Sequence, residues 1–358
     1  MPRLRNVRNS LLTAFDSNVI NEEEFLMLYD IYSTKNPDIP YWSYTKFDLD
    51  DMSDDECKCE FRFLRSDVYR LVDVLQLPQE IFCFNGLKVN SVEALSIFLK
   101  RFAYPCRLLD MVPRFARPVP QLSMISNHVM NYLYDRWNHL FTTLNQNWLS
   151  QNNLEIFADT VFQKGAPLNS CWGFIDGTVR PICRPGENQR IMYNGHKRVH
   201  SLKFQSVVAP NGLIANLFGP IEGKRHDSGM LADSRLLNQL TQFSFDTAGN
   251  PLCLYGDPAY PLRVHLQAGF KGANLTRQQE LWNKHMSEVR TAVEWVFGDI
   301  LEYFKFLDFK KNLKIGLNAV GKMYATCALL TNARNCLYGS LTSTYFNIEP
   351  PIIEEYFV

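Results

Sequence analysis

Four acidic residues in the second half of the chain stand where ordinary surface acids do not. Asp176 closes the apolar run CWGFI and precedes Gly-Thr, and Asp257 closes the apolar run LCLYG and precedes Pro-Ala-Tyr. Glu294 lies in SEVRTAVEWVFGDI, at the margin of a helical stripe of Val289, Ala292, Val293, Val296 and Phe297. Asp227, in KRHDSGM, opens another helical segment. If the two apolar runs are neighbouring parallel strands, Asp176 and Asp257 emerge at the same carboxyl edge of a sheet. Two bare carboxylates held there repel, which raises a pKa, and a divalent cation removes that conflict. Two strand-end aspartates and a helical glutamate are the oxygen donors that two-metal phosphoryl transfer needs. In that chemistry cations about 4 Å apart activate the attacking oxygen and neutralise the leaving one. Each acid also has a plainer reading. Asp-Gly after a strand is a common turn, Asp227 before a serine makes a good helix N-cap, and Glu294 can pair with Arg290, four residues earlier.

Two other phosphate chemistries are weaker matches. FIDGT has the outline of the DxDGT signature of haloacid-dehalogenase phosphatases, but Phe174 takes the place of the nucleophilic aspartate, and a phenyl ring cannot attack phosphorus. Gly219 and Gly223 ahead of Lys224 miss the spacing of a phosphate-binding P-loop.

The elements that must position these acids follow from periodicity. From Phe61 to about Leu149 the pattern is helical: Phe63, Val68, Leu71, Val72 and Leu75 share one stripe, and Leu95, Phe98, Leu99 and Phe102 share another after a cap at Ser91. A short helix over 108–115, a proline turn (ARPVPQ) and a helix from Ser123 to Trp137 predict a helix-turn-helix outline with Arg114 and Arg117 at the turn. After Ala166 the runs become β-like: CWGFID, TVRPIC, SLKFQSVVA and LIANLFG, the last two joined by a Pro-Asn-Gly hairpin. A helix over 227–240, the strand LCLYG, and helices over 280–304 and 318–336 complete a mixed sheet with covering helices, an α+β chain. The expected division is an acidic N-terminal extension (1–60), a helical bundle (61–160), a catalytic domain (166–340) and a loosely docked tail (341–358).

Composition narrows the class. The chain has 358 residues, 46% hydrophobic and 21% charged, which excludes disorder for most of its length. No apolar run approaches the roughly 18 residues of a membrane-spanning helix. Nine cysteines, several inside apolar runs and none at zinc-finger spacing, read as reduced core thiols of an intracellular protein. The arginines of MPRLRNVRNSLLTAF fit a surface helix better than a transit peptide, because three glutamates follow. Lysine plus arginine and aspartate plus glutamate both total 37, a net charge of zero that argues against a nucleic-acid binder. By segment the balance changes: 10 − 16 = −6 over residues 1–90, 6 − 3 = +3 over 91–150, and 21 − 18 = +3 over 151–358. A modestly basic core behind an acidic extension is compatible with DNA. Tyr193, His196, Lys197, Arg198, His200 and Lys203 form one basic, aromatic-interrupted stretch, and Lys224, Arg225 and His226 form another beside Asp227. Both suit phosphate contact, and Lys310, Lys311 and Lys314 are a further candidate strip.

At these residues the sequence resembles a known family. CWGFIDGT, YNGHKRVHSLKFQSVVAPNGLIANLFGP, KRHDSGML, YGDPAYPL and VRTAVEWVFG are together similar to the DDE transposases of the PIF/Harbinger class and the nucleases derived from them. The likeness extends from about Phe61 to Gly339. It implies an RNase H-like catalytic core, with the trio falling on Asp176, Asp257 and Glu294 and an additional metal ligand on Asp227. It further implies Mg²⁺ or Mn²⁺, two ions per site, cutting at transposon ends and transfer of the 3′-hydroxyl to target DNA. A separate Myb-like DNA-binding partner, a homo-oligomer and a nuclear location, with the cytoplasm as a second compartment, belong to the same expectation. The alternative is a domesticated nuclease, or a DNA-binding scaffold that keeps the fold without chemistry.

Overall fold

Residues 4–32 and 39–358 are described by the structure, a computed structural model. Residues 1–3 and 33–38, part of the expected N-terminal extension, lie outside the described residues. Helices α1 (Leu4–Asp16) and α2 (Glu22–Ile31) come first, the second opened by an Asn21–Glu24 capping box. A helical layer follows, built from α3 (Asp54–Phe61), α4 (Arg65–Val74), a hairpin of β1 (Glu80–Phe82) and β2 (Lys88–Asn90), α5 (Ser91–Ala103), the one-turn α6 (Val112–Phe115), α7 (Val119–Trp137) and α8 (Gln151–Gln163).

Two boundaries differ from the sequence reading for local reasons. The cap of α5 is Asn90, not Ser91: its side chain accepts the Val92 N–H at 2.8 Å. Helix α7 starts four residues before Ser123, with Pro118 as its cap and Pro120 in its first turn, where a missing N–H costs nothing. The short helix expected over 108–115 is a 3₁₀ turn, Leu108–Met111, running directly into α6, and the proline turn and α7 follow it.

The sheet contains β3 (Cys171–Pro181), β4 (Tyr193–Asn194), β5 (Val199–Val208), β6 (Ile214–Glu222), β7 (Cys253–Gly256) and β8 (Leu266–Ala268). Strand β5 runs antiparallel to both β3 and β6, whereas β7 lies parallel to β3 and β8 parallel to β7, giving the order β6–β5–β3–β7–β8. The short α9 (Gln189–Met192) leads into β4, and α10 (Asp227–Ser234) and α11 (Leu236–Phe243) carry the chain from β6 to β7. The single helix expected there is broken at Arg235, which is left-handed at φ 54°. Helices α12 (Arg277–Tyr303), α13 (Val320–Tyr338), α14 (Leu341–Phe346) and α15 (Ile353–Tyr356) complete an α+β fold with an RNase H-like sheet domain after the helical region.

CWGFID and TVRPIC form one strand, not two. Asp176–Ser206 and Gly177–Gln205 are consecutive antiparallel pairs, so the chain stays extended through Asp-Gly and Asp176 lies in the middle of β3. Only Asp257 follows a strand end. The first half of β3 reads as continuously apolar because both its faces are covered.

The helical layer and the sheet share one apolar core, running from Leu49 to Phe357. Phe102 meets Phe306 at 5.1 Å, and the Asn216 side chain donates to the Phe141 carbonyl at 2.8 Å. The C-terminal tail, expected to be loosely docked, belongs to that core. Ile353, Tyr356 and Phe357 are buried, the Phe357 ring packs on Trp137, and the Tyr356 hydroxyl accepts from Asn332 at 2.8 Å. Burial of side chains this large stabilises by about 2–3 kcal/mol each.

Candidate active site

The register of β3 against β7 sets the geometry. Ile175 pairs with Gly256, so Asp176 and Asp257 are the next residue on each of two adjacent parallel strands. Strands so paired are about 4.8 Å apart. Each aspartate has one oxygen pinned by backbone: Gly177 N–H donates to Asp176 Oδ1 at 2.8 Å, and Ala259 N–H donates to Asp257 Oδ1 at 2.9 Å. The second oxygen of Asp176 receives the Arg290 guanidinium, Nη1 to Oδ2, at 3.1 Å. Burial pushes the Asp176 carboxyl above its ordinary range; Arg290 and the Gly177 N–H oppose this, and Asp257 adds to it.

Helix α12 delivers Arg290. A Thr276–Gln279 capping box starts the helix, and Met286, Val289, Ala292, Val293, Val296, Phe297 and Ile300 bury one face of it. That packing fixes the helix rotation and leaves Arg290 beside Asp176. Glu294 sits one turn further on, with its side chain 60% exposed and Oε1 3.6 Å from Arg290 Nη2. The i,i+4 pair considered from sequence is therefore present, and Arg290 ties Glu294 to Asp176 through a shared fork.

Asp227 approaches from the other side of the sheet. Successive residues of a strand point to opposite faces, so Gly177 faces away from α12. A Cβ at Gly177 would lie 2.7 Å from Asp227 Oδ1, so only glycine lets α10 come this close. The helix cap is His226, and Asp227 is its first helical residue, contrary to the N-cap reading. Lys203 holds Asp227 Oδ1 at 2.5 Å and also donates to the Arg225 carbonyl at 2.9 Å.

The basic residues divide in the same way. Lys203 is only 7% exposed and its ammonium is turned inward. Arg114 pairs with Glu60 and Arg117 forms a two-pronged pair with Glu93, both in the helical layer. Arg225 pairs with Asp233. Lys197, Arg198 and Lys224 are exposed and have no ion pair among the described residues. The fold joins the two basic stretches that sequence separates: Asn194 Nδ2 donates to the Gly223 carbonyl at 2.9 Å, and Lys224 N–H to the Ile191 carbonyl at 3.1 Å.

The donor set is all oxygen, which suits a hard divalent cation, and the Asp176–Asp257 pair fits one by chemistry and by adjacency. It is not a closed cage. Among the described residues no three Asp, Glu, His or Cys side chains gather closely enough to hold an ion, because Lys203 keeps Asp227 on one face and Arg290 holds Glu294 on the other. Tyr260, a buried phenol near these acids, did not stand out from sequence, and Arg290 did so only as a partner of Glu294, not of Asp176. The available signals were an arginine one helical turn before Glu294 and a tyrosine three residues after Asp257.

The sheet order defines the class: an RNase H-like domain, with Asp176 inside β3 beside Asp257 where β7 ends. Residues 175–332 match the model of the family described as DDE superfamily endonuclease. No curated protein and no solved structure matches the chain. The matched span includes all four acids, and the match supports a DDE transposase-like nuclease acting on DNA. Among the described residues no helix is long and apolar enough to cross a membrane.

Proposed function

We propose that the chain is a divalent-metal-dependent DNA endonuclease of the PIF/Harbinger transposase type, working in the nucleus. The observation that carries this reading is the adjacency of Asp176 and Asp257 across β3 and β7. Asp176 and Asp257 would hold the cation through the oxygens that backbone does not pin, Arg290 yielding its contact with Asp176, with Glu294 and Asp227 as the further carboxylates. A divalent cation, when bound, supplies Lewis-acid polarisation of the phosphodiester and a nucleophilic water at neutral pH.

The chain's own groups do the rest. Backbone pins at Gly177 and Ala259 fix the two aspartates before any ligand arrives, so their orientation needs no reorganisation on binding. Arg290 offsets the charge of Asp176 and holds the exposed Glu294 within reach. Lys197, Arg198 and Lys224 grip the DNA backbone on the surface that β4, β5 and β6 build beside Asp227, positioning the scissile phosphate over the pair. The 3′-hydroxyl left by cutting would be aligned on the same surface for in-line attack on target DNA. A Myb-like partner supplies sequence recognition in this scheme.

A second reading, a scaffold without chemistry, is favoured by the ion pairs that keep Asp227 and Glu294 apart from the central pair. Nicking of supercoiled and element-end DNA in Mg²⁺ or Mn²⁺ separates the two. Metal-dependent cutting that Asp257→Asn abolishes supports the nuclease; equal cutting by the variant contradicts the site, and no cutting by the native chain with its partner present selects the scaffold.

A further inference from the structure

Tyr260 lies outside the acid set and is built into its base. The residue is 1% exposed, and its hydroxyl oxygen is buried with no hydrogen-bond partner among the described residues. Its N–H donates to the Asp257 carbonyl at 3.1 Å, closing a turn that folds the ring back over the end of β7. A Cβ at Gly256 would lie 2.7 Å from Tyr260 Cδ2 and 2.9 Å from Ile175 Cγ2. Glycine at 256 is thus what lets the ring lie flat against β3 and β7, on the face that Asp227 approaches.

The ring ends among charges. Burial holds the phenol well above its ordinary range, and Asp227, Asp176 and Asp257 each add to the effect, Asp227 most. A phenol carries its proton at neutral pH without any shift, so toward carboxylates it serves as a donor. Native interiors seldom leave a buried hydroxyl unpaired, because the lost hydration is not returned. The Trp172 indole, equally buried in the same strand pair, shows the usual outcome by donating to Ser244 at 2.7 Å.

We propose that Tyr260 is a positioning residue for the divalent cation: its hydroxyl donates to a carboxylate oxygen, or a water, that the bound cation fixes between Asp227 and the Asp176–Asp257 pair. This deepens the nuclease reading and rests on that pair being the cation site. Tyr260 would orient ligands rather than touch DNA, as outer hydrogen bonds do at metal sites generally.

Tyr260→Phe removes the hydroxyl and keeps the ring. The test compares the full native chain, Tyr260→Phe and Asp257→Asn by Mn²⁺ titration calorimetry and by thermal melting with and without Mn²⁺. Without metal, Tyr260→Phe is expected to melt as high as the native chain or about 1–4 °C higher, since an unpaired buried hydroxyl is gone. Its Mn²⁺ affinity is expected to fall about tenfold, in the range seen for outer-shell partners, and its melting gain on adding Mn²⁺ to shrink. Asp257→Asn is expected to lose Mn²⁺ binding outright. Unchanged Mn²⁺ affinity in Tyr260→Phe overturns the role of Tyr260 and leaves the site standing if Asp257→Asn fails to bind. A metal-free melting point that drops by several degrees, with affinity intact, makes the hydroxyl structural and overturns it too. Retained binding by Asp257→Asn overturns the cation site itself.

Discussion

Asp176 and Asp227 converge on neighbouring residues of β3 but on opposite faces of the sheet, and each meets a different cation. On the α12 face Arg290, 20% exposed, is shared between Asp176 and Glu294. On the α10 face Lys203, 7% exposed, is committed to Asp227 and to the Arg225 carbonyl. The difference is one of exchangeability. A partly solvated guanidinium bridging two carboxylates can yield one of them to an incoming ion at small cost. A buried ammonium cannot leave its carboxylate without being stranded. Glu294 is therefore the carboxylate freer to join an ion held at the pair, and Asp227 the one anchored beside it.

Substitutions can break that contrast, beginning with the largest effect. Asp176→Asn should lower metal-dependent nicking by at least about 10³-fold while urea unfolding stays near native, because the backbone pin survives the change. Lys203→Met should act mainly on stability, costing about 2–4 kcal/mol in urea melts as Asp227 loses its buried partner. Were Lys203→Met instead stable and inactive, the two carboxylates would have the reverse roles.

Arg290→Gln should reduce nicking about tenfold and leave Mn²⁺ affinity equal or higher, since a competitor for Asp176 is removed. Loss of Mn²⁺ binding in that variant would mean the guanidinium supports the ion rather than yielding to it.

Asp299 provides a control on α12 away from the pair. Burial and the neighbouring Glu302 push its carboxyl up to about 6 against the pull of Arg334, and its Oδ2 is buried without a partner among the described residues. The folded state therefore binds a proton more tightly than the unfolded state, and stability falls as pH rises from about 4 to 6. Asp299→Asn should flatten that slope and raise stability at pH 7 by roughly 1 kcal/mol, a figure discounted for partial solvation, without changing nicking. The smallest effect is expected from Lys224→Ala. It should reduce the salt dependence of DNA binding by about one unit of slope and weaken all sequences alike, as loss of one phosphate contact does.

Much of this arrangement was legible in the sequence, and the failures have local causes. The apolar stripes of α5 and α12, the fully apolar β7 and the Pro-Asn-Gly hairpin follow directly from side-chain periodicity, which local geometry obeys. Asp176-Gly177 misled because the pair has turn chemistry; Gly177 is there for a helix 50 residues away in sequence, and that approach is visible only in three dimensions. The basic residues misled in a different way. Charge is read from the chain, but whether a cation is free depends on distant partners such as Glu60, Glu93 and Asp233. The tail, IEPPIIEEYFV, has prolines and acids on its surface and hides Ile353, Tyr356 and Phe357, of which Asn332 receives the second and Trp137 the third.

Anomalous scattering from Mn²⁺ in crystals of the full chain tests the central claim most directly. The expected map has manganese bound by the Asp176 and Asp257 carboxylates, and none in Asp257→Asn. Manganese bound by Asp227 without the Asp176–Asp257 pair, or no ordered manganese at a concentration that supports nicking, would contradict it.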